Sequence, residues 1–162
     1  MKRVWLLRHA KSSWDDDLLG DHERPLAPRG RKAAARIARW AAANGLRPDL
    51  VLCSTAVRAR ATLEIVLPEL SDPDVEIEPG LYHAWDDALI ARLQALPDGV
   101  RAVLLVGHNP GLHDLACTLA PPGPKAFPTG ALAEIHLDAD EWTAARGGCG
   151  ELRQFVTPRA LS

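Results

Sequence analysis

Short apolar runs recur along this chain and alternate with segments of helical periodicity, and this alternation constrains the fold more than any other feature. Four consecutive apolar residues make up each of three runs, which predict fully buried strands: 4–7, 50–53 and 103–106. Apolar residues at helical spacing predict helices over four segments: 29–44, 56–66, 86–96 and 110–119. Weaker patterns predict three further strands: 75–77, 131–137 and 152–156. On helix 29–44, Ala33, Ile37 and Trp40 are predicted to face the core. The alternation predicts an α/β layered domain.

Length and composition indicate one ordinary globular domain. The 162 residues lie within the range of about 100–200 that one domain usually takes, so we expect a single domain over 1–162. The net charge of −2 provides no general attraction to nucleic acid or to an anionic membrane. No run of about 20 apolar residues predicts a membrane span, and the apolar run near the start is too short for a signal peptide. The expected location is the cytoplasm.

Basic side chains follow three of the predicted strands. Arg8 and His9 come directly after the first strand, and Arg58 lies at the start of the helix after the second. His108 and Asn109 follow the strand over 103–106. Ligands in open α/β sheets bind beyond the carboxyl ends of the strands. If these strands are neighbours, two imidazoles and at least two guanidinium groups meet in one cleft.

Such a cleft suits a tetrahedral oxyanion. Guanidinium groups bind pairs of phosphate oxygens, and a helix N-terminus adds N–H donors. A neutral imidazole is a nucleophile towards phosphorus, and neighbouring positive charge lowers its pKa, which keeps it neutral. The second imidazole can stabilise charge on the transferring group. These residues therefore predict phosphoryl chemistry.

Motifs along nearly the whole chain resemble one protein family. Arg8-His9-Ala10 after an apolar strand resembles the Arg-His-Gly signature of the histidine phosphatase (phosphoglycerate mutase-like) superfamily. Eight segments resemble, in order, the SixA-like phosphohistidine phosphatases of that superfamily: 6–14, 23–26, 29–30, 49–54, 57–62, 106–112, 127–131 and 155–159. A lone Arg-His pair would carry no weight, whereas this ordered set is specific.

This resemblance implies a fold, a reaction and a set of site residues. The implied fold is a three-layer α/β/α sandwich around a mostly parallel sheet. His9 would be the nucleophile that takes the phosphoryl group, and water would then hydrolyse the phosphohistidine intermediate. The other implied residues form the phosphate pocket or contact substrate: Arg8, Arg24, Arg58, His108 and Asn109. Neither a metal nor an organic cofactor is expected, because arginines supply the charge that Mg²⁺ supplies elsewhere.

One stretch departs from the family pattern. Many phosphatases of the superfamily carry Leu-x-Glu, whose carboxylic acid protonates the leaving alcohol. The corresponding stretch here is Leu81-Tyr82-His83, which lacks the Glu. Imidazole is a far less basic leaving group than an alkoxide and needs less protonation, so the loss favours N–P bonds over alkyl phosphates. His83 is a candidate substrate-binding residue that could partly replace the missing acid, as could Asp86 or Asp87.

Other conspicuous residues are interpreted as structural. Three histidines have no motif around them: His22, His113 and His136. His108 and His113 are five residues apart, a spacing that does not suit a zinc site on a helix, and the three cysteines include no CxxC pair. Segment 15–17 is expected to be a solvated acidic loop, and Arg60 to point about 200° away from Arg58 on its helix. Trp14 is expected to shape the wall of the cleft.

The sequence therefore predicts a metal-independent phosphohistidine phosphatase of signal transduction. Its expected partner is a phosphorylated protein, such as a histidine phosphotransfer domain. A phosphatase of a small phosphoester would use the same pocket but would require a proton donor. A phosphate-binding module without turnover is disfavoured, since it would not need the nucleophile. Loops 11–28 and 121–128 are expected to select the partner, and the default oligomeric state is a monomer.

Overall fold

The computed structural model describes residues 1–161 and contains one six-stranded sheet flanked by helices. The strands are β1 (Lys2–Arg8), β2 (Leu50–Ser54), β3 (Asp74–Glu78), β4 (Ala102–Gly107), β5 (Leu132–Leu137) and β6 (Gly150–Val156). The α-helices are α1 (Pro28–Ala43), α2 (Val57–Val66), α3 (Asp86–Gln94) and α4 (Gly111–Leu119). Every predicted strand and helix is present, with ends that differ by two residues at most.

The sheet has the strand order β3-β2-β4-β1-β5-β6. The four strands from β3 to β1 run parallel, and β5 and β6 are antiparallel to their neighbours. Both faces of the central strands are covered, which explains why their sequences are continuous apolar runs. In the β1–β4 pair, Arg8 lies opposite Gly107, so the two strands end side by side. The predicted neighbouring strands are thus neighbours in the structure.

Helices cover both faces of the sheet. Trp5 and Leu7 pack with residues of α1 and α2, whereas Val4 and Leu6 pack with residues of α3 and α4. This alternation follows from the strand geometry, in which successive side chains point to opposite faces. The α/β/α sandwich around a mostly parallel sheet is therefore confirmed. No helix within residues 1–161 is long and apolar enough to cross a membrane.

The buried face of α1 differs from the predicted one. Its buried residues include Ala34, Ile37 and Ala41, whereas Ala33 and Trp40 are only half-buried. Small alanines at the contact allow the helix to approach the sheet closely, and the bulky indole of Trp40 packs at the margin of the core instead. The prediction was wrong by about one position around the helix.

Candidate active site

Backbone hydrogen bonds hold the segment that leaves β1. The N–H of His9 donates to the carbonyl of Gly107 at 3.0 Å, which joins it to the end of β4. The N–H of Gly130 donates to the carbonyls of both Arg8 and His9, at 3.1 and 2.9 Å. Gly130 has a φ of +77°, a conformation that glycine adopts without strain. The backbone of His9 is therefore fixed between β4 and the segment that enters β5.

A contact with the next residue sets the tautomer of His9. Its Nδ1 lies 2.7 Å from the carbonyl oxygen of Ala10, and a carbonyl oxygen only accepts, so Nδ1 carries the proton. The lone pair then lies on Nε2. Burial lowers the pKa of His9 to about 4, and the charges of nearby arginines act in the same direction. The imidazole is therefore neutral at pH 7, as a nucleophile requires.

A buried threonine binds the segment 9–11, which we call the nucleophile loop, to α2. The N–H of Ala10 donates to Oγ1 of Thr62 at 3.0 Å, and the same hydroxyl donates to the carbonyl of Arg58 at 2.7 Å. On the other side, Gly30 of α1 packs directly on the backbone of Lys11, where a Cβ would lie 2.1 Å from the Lys11 carbonyl oxygen. The nucleophile loop is thus packed between two helices.

His108 lies at the end of β4, beside His9. The two ring centroids are 5.1 Å apart, and Nε2 of His108 lies 2.8 Å from the hydroxyl of Ser54 at the end of β2. The Nδ1 atom of His108 is buried and has no partner within residues 1–161. Burial lowers the pKa of His108 to about 3, with further contributions from His9 and Arg58, so the second imidazole is also neutral.

Arginines supply the positive charge of the cavity beside His9. This cavity has a volume of about 310 Å³ and is lined by six of the seven predicted site residues: Arg8, His9, Arg24, Arg58, His108 and Asn109. The Nη1 atom of Arg8 and the Nδ2 atom of Asn109 both donate to the carbonyl of Phe127, at 3.0 and 2.8 Å. The buried Nε atoms of Arg8 and Arg58 have no hydrogen-bond partner within residues 1–161. We call this space the phosphate cavity, because its donors match a tetrahedral oxyanion.

Asp21 is a member of the site that the sequence analysis missed. Its carboxylate accepts from Nη1 of Arg24 at 2.9 Å and from Nη2 of Arg58 at 3.0 Å, and its carbonyl accepts from Nη1 of Arg58 at 2.6 Å. The hydroxyl of Tyr82 donates to the same carboxylate. The hydrogen bond from Tyr82, followed by those from the arginines, holds the pKa of Asp21 well below its usual range, so Asp21 is ionised. Both Nη atoms of Arg58 therefore already bind Asp21.

His83 lies next to the phosphate cavity rather than on its wall. Its ring is exposed and lies 3.9 Å from the Tyr82 ring, centroid to centroid. Together with Tyr82 and Trp85 it lines a second cavity of about 250 Å³. His108 and Asn109 line both cavities, so the two are adjacent. A substrate-binding role for His83 stays a prediction.

Most residues interpreted as structural lie where the sequence indicated. Arg60 is exposed, and so is segment 15–17. Within residues 1–161, no group of three or more His, Cys, Asp or Glu side chains is placed to hold a metal ion. Trp14 lines the phosphate cavity, with the guanidinium of Arg24 3.1 Å from its ring centroid. His22 is closer to the site than expected, because its Nε2 lies 2.8 Å from the hydroxyl of Thr55 and its ring meets Tyr82 edge-on.

Comparison with known proteins shows the class to which this sheet and cavity belong. Residues 4–84 match the histidine phosphatase superfamily (branch 1), and this segment includes His9 and Arg58. The chain belongs to this superfamily.

Individual relatives place the chain near the SixA proteins. Phosphohistidine phosphatase SixA of Escherichia coli is 34% identical over 140 residues, which cover 84% of this chain and 86% of SixA. A structure of the protein histidine phosphatase SixA with tungstate is 30% identical, has a TM-score of 0.85 and covers 99% of both chains. An uncharacterized protein of Mycobacterium tuberculosis is 37% identical over 163 residues, covering 94% of this chain and all of its own. The resemblance to the SixA-like branch is therefore confirmed.

Proposed function

We propose that this protein is a phosphatase that hydrolyses the N–P bond of phosphohistidine on a signalling protein, with His9 as the nucleophile. The observation that carries the proposal is the combination of a neutral, oriented imidazole and buried arginines with no protonated carboxylic acid. No Asp or Glu of the described residues lines the phosphate cavity, and the adjacent Asp21 is ionised. The name of the SixA relative supports the same substrate class.

In the first step, Nε2 of His9 forms a bond to phosphorus while the N–P bond of the substrate breaks. The electron pair of the broken bond stays on the substrate imidazole. When the other nitrogen of that ring carries a proton, the leaving group is a neutral imidazole, and the step requires no acid from the protein. The available N–H groups of Arg8 and Arg58 stabilise the charge of the transferring phosphoryl group.

In the second step, water attacks phosphorus and the bond to Nε2 of His9 breaks. The Ala10 carbonyl keeps a proton on Nδ1, so the electron pair returns to a neutral imidazole. The proton of the attacking water passes to the phosphate product and solvent. His108 lies beside His9 and would stabilise the charge of the transferring group by a hydrogen bond or, once the oxyanion has raised its pKa, as a cation. No metal is needed in either step, since arginines carry the positive charge.

A small-molecule phosphoester is the second candidate substrate. The phosphate cavity would accept it, because the phosphoryl group is the same. An alkoxide leaving group, however, is strongly basic and requires a proton. Of the described residues that line the second cavity, three have side chains that act as general acids: Tyr82, His83 and His108. The Tyr82 hydroxyl already donates to Asp21, and burial keeps His108 neutral. The site therefore favours the phosphoramidate.

A direct assay of phosphate release tests the proposal. The substrates are a phosphorylated histidine phosphotransfer domain and an alkyl phosphoester, both supplied with a chelator and no added metal. We expect release from the domain and little from the ester. The variants His9→Ala and Arg58→Ala should lose this activity, whereas the matched variant Arg60→Ala, exposed on the same helix, should retain it. Preferred turnover of the ester would identify a small-molecule phosphatase, and binding of phosphate without release from either substrate would indicate a binding module.

A further inference from the structure

Large apolar side chains are exposed in two segments that also supply residues to the phosphate cavity and to the cavity beside it. Trp14 is 74% exposed, Leu18 is 93% exposed and Trp85 is 61% exposed, and Leu19 is exposed as well. These four make up most of the exposed large hydrophobic residues within 1–161, which otherwise include only Met1 and two residues of the edge strand β3. Exposed apolar residues that cluster at one place mark an interaction surface.

The apolar residues belong to two segments that touch each other. Loop 11–28 carries Trp14, Leu18 and Leu19, and an isolated β-bridge between Ser12 and Leu26 closes it. Two residues after Leu19, the carboxylate of Asp21 binds the hydroxyl of Tyr82. Trp85 follows three residues after Tyr82. We call the exposed part of these two segments, 14–19 and 85–87, the collar.

The collar is acidic, in contrast to the cavity that it borders. Asp15, Asp16, Asp17 and Asp87 are all exposed. Two exposed lysines lie near the same mouth: Lys11, which lines the phosphate cavity, and Lys125 in the loop whose Phe127 carbonyl binds Arg8. Exposed carboxylates therefore outnumber exposed lysines in the segments beside the cavity, while three arginines, Arg8, Arg24 and Arg58, line the cavity itself and form what we call its floor.

We propose that the collar is a docking surface for a protein whose phosphohistidine is surrounded by Lys or Arg side chains and apolar residues. This inference rests on the proposed function and adds the chemistry of the partner to it. The phosphoryl group alone matches the floor of the cavity, and a basic apolar surface around it matches the collar. A small anionic phosphate would bind the arginines of the floor, but the acidic collar would repel it. It would also make no contact with the exposed apolar residues.

This arrangement gives the two kinds of substrate different responses to salt. Attraction between a basic partner and the collar accelerates association and weakens as ionic strength rises. For phosphoimidazole, a small anion that only reaches the floor, the acidic collar contributes repulsion, and salt screens that repulsion. Salt also screens the attraction of this anion to the arginines of the cavity, so its two effects oppose each other. The proposal therefore expects kcat/KM to fall more steeply with salt for the protein than for phosphoimidazole.

Replacement of two exposed leucines tests the apolar part. The double variant Leu18→Ser with Leu19→Ser leaves every residue of the phosphate cavity in place. The substrate is a phosphorylated histidine phosphotransfer domain with Lys or Arg beside its phosphohistidine. For this substrate we expect kcat/KM to fall by about fivefold to thirtyfold. Turnover of phosphoimidazole should stay unchanged. The matched control Val75→Ser removes an exposed apolar residue from β3, away from the collar, and should leave both substrates unaffected.

A binding measurement separates failure of this inference from failure of the proposed function. The unphosphorylated domain is titrated against the protein carrying His9→Ala, with and without the leucine replacements, so no turnover is needed. Weaker binding after the leucine replacements, and weaker binding when the basic residues of the domain are changed to Ala, support docking at the collar. Equal binding by both forms overturns it, as does an equal loss of activity on phosphoimidazole. Absence of phosphate release by the wild-type protein from both phosphoimidazole and the phosphorylated domain would instead refute the N–P chemistry.

Discussion

Replacement of Thr62 by Val tests whether one buried hydroxyl holds the nucleophile loop in place. The side chain is fully buried, and its Oγ1 accepts from the N–H of Ala10 while donating to the carbonyl of Arg58. Valine has nearly the same shape, but its side chain can neither accept nor donate a hydrogen bond. The N–H of Ala10 lies in a residue with no exposed surface, so water cannot replace the lost acceptor. A buried donor without a partner costs about 1–3 kcal/mol.

The expected result is a lower melting temperature and a lower rate. For a chain of this size, about 1–3 kcal/mol corresponds to a decrease in Tm of roughly 2–12 °C. The Ala10 amide follows His9 directly, so displacement of this backbone also moves Nε2, and we expect kcat to fall by about tenfold to a hundredfold. Thermal unfolding and phosphate release from the phosphotransfer domain measure the two effects.

Replacement of Thr62 by Ser is the matched control. Serine retains the hydroxyl and both hydrogen bonds and loses only one methyl group, worth about 1 kcal/mol of burial. We expect the serine variant to keep kcat near the wild-type value even though its Tm decreases slightly. A valine variant with wild-type Tm and kcat would show that the loop is held by its remaining backbone contacts and would refute the role of Thr62.

Three further perturbations test the surroundings of the site. Asp21→Asn removes the counter-ion of two buried arginines, so we expect a loss of about 1–3 kcal/mol in unfolding free energy and a larger gain in Tm on adding phosphate than in the wild type. Gly30→Ala should lower Tm clearly because the new Cβ would meet the carbonyl oxygen of Lys11, whereas Gly80→Ala, with open space around it, should not. The two imidazoles of the site have pKa values of about 4 and about 3 when folded, against about 6.5 when unfolded. The unfolded chain therefore binds more protons than the folded chain between those values, so Tm should fall as the pH is lowered below 6.5. A variant with Gln in place of both His9 and His108 should show a shallower fall.

The sequence was sufficient to predict the sheet and the main contributors to the phosphate cavity. Central parallel strands are buried on both faces, so their apolar runs are unambiguous, and strand ends in such a sheet meet at one edge. The side chains placed there by chain order are therefore those that line the cavity, as Arg8, His9 and His108 do. The helix faces are less well determined, since small and large apolar residues at neighbouring positions, as in α1, permit more than one packing.

Contacts between distant loop residues could not be predicted in the same way. Asp21 and Tyr82 are 61 positions apart and belong to segments without regular periodicity, so no local pattern connects them. One signal was available, namely the three-residue spacing of Asp21 and Arg24. The 3-10 turn Asp21–Glu23 brings these two side chains together. Thr62 was equally hidden, since a threonine inside a helix carries no indication that its hydroxyl binds another segment.

The chemistry of the proposed reaction explains why a cavity without an acid is sufficient. The bond that breaks in the first step and the bond that forms both join phosphorus to an imidazole nitrogen, so the transfer is close to balanced in free energy. The protein then has to position the two rings and stabilise the transferring group, which the fixed backbone of His9 and the arginines of the cavity do. With an alkyl phosphate, the leaving group would be a strongly basic alkoxide instead of an imidazole, and the transfer would become unfavourable in free energy without a proton donor. The ionised Asp21 cannot restore the balance, because its proton is absent at neutral pH and its oxygens already bind two arginines. The same carboxylate that holds the arginines in place would thereby contribute to the proposed preference for N–P bonds.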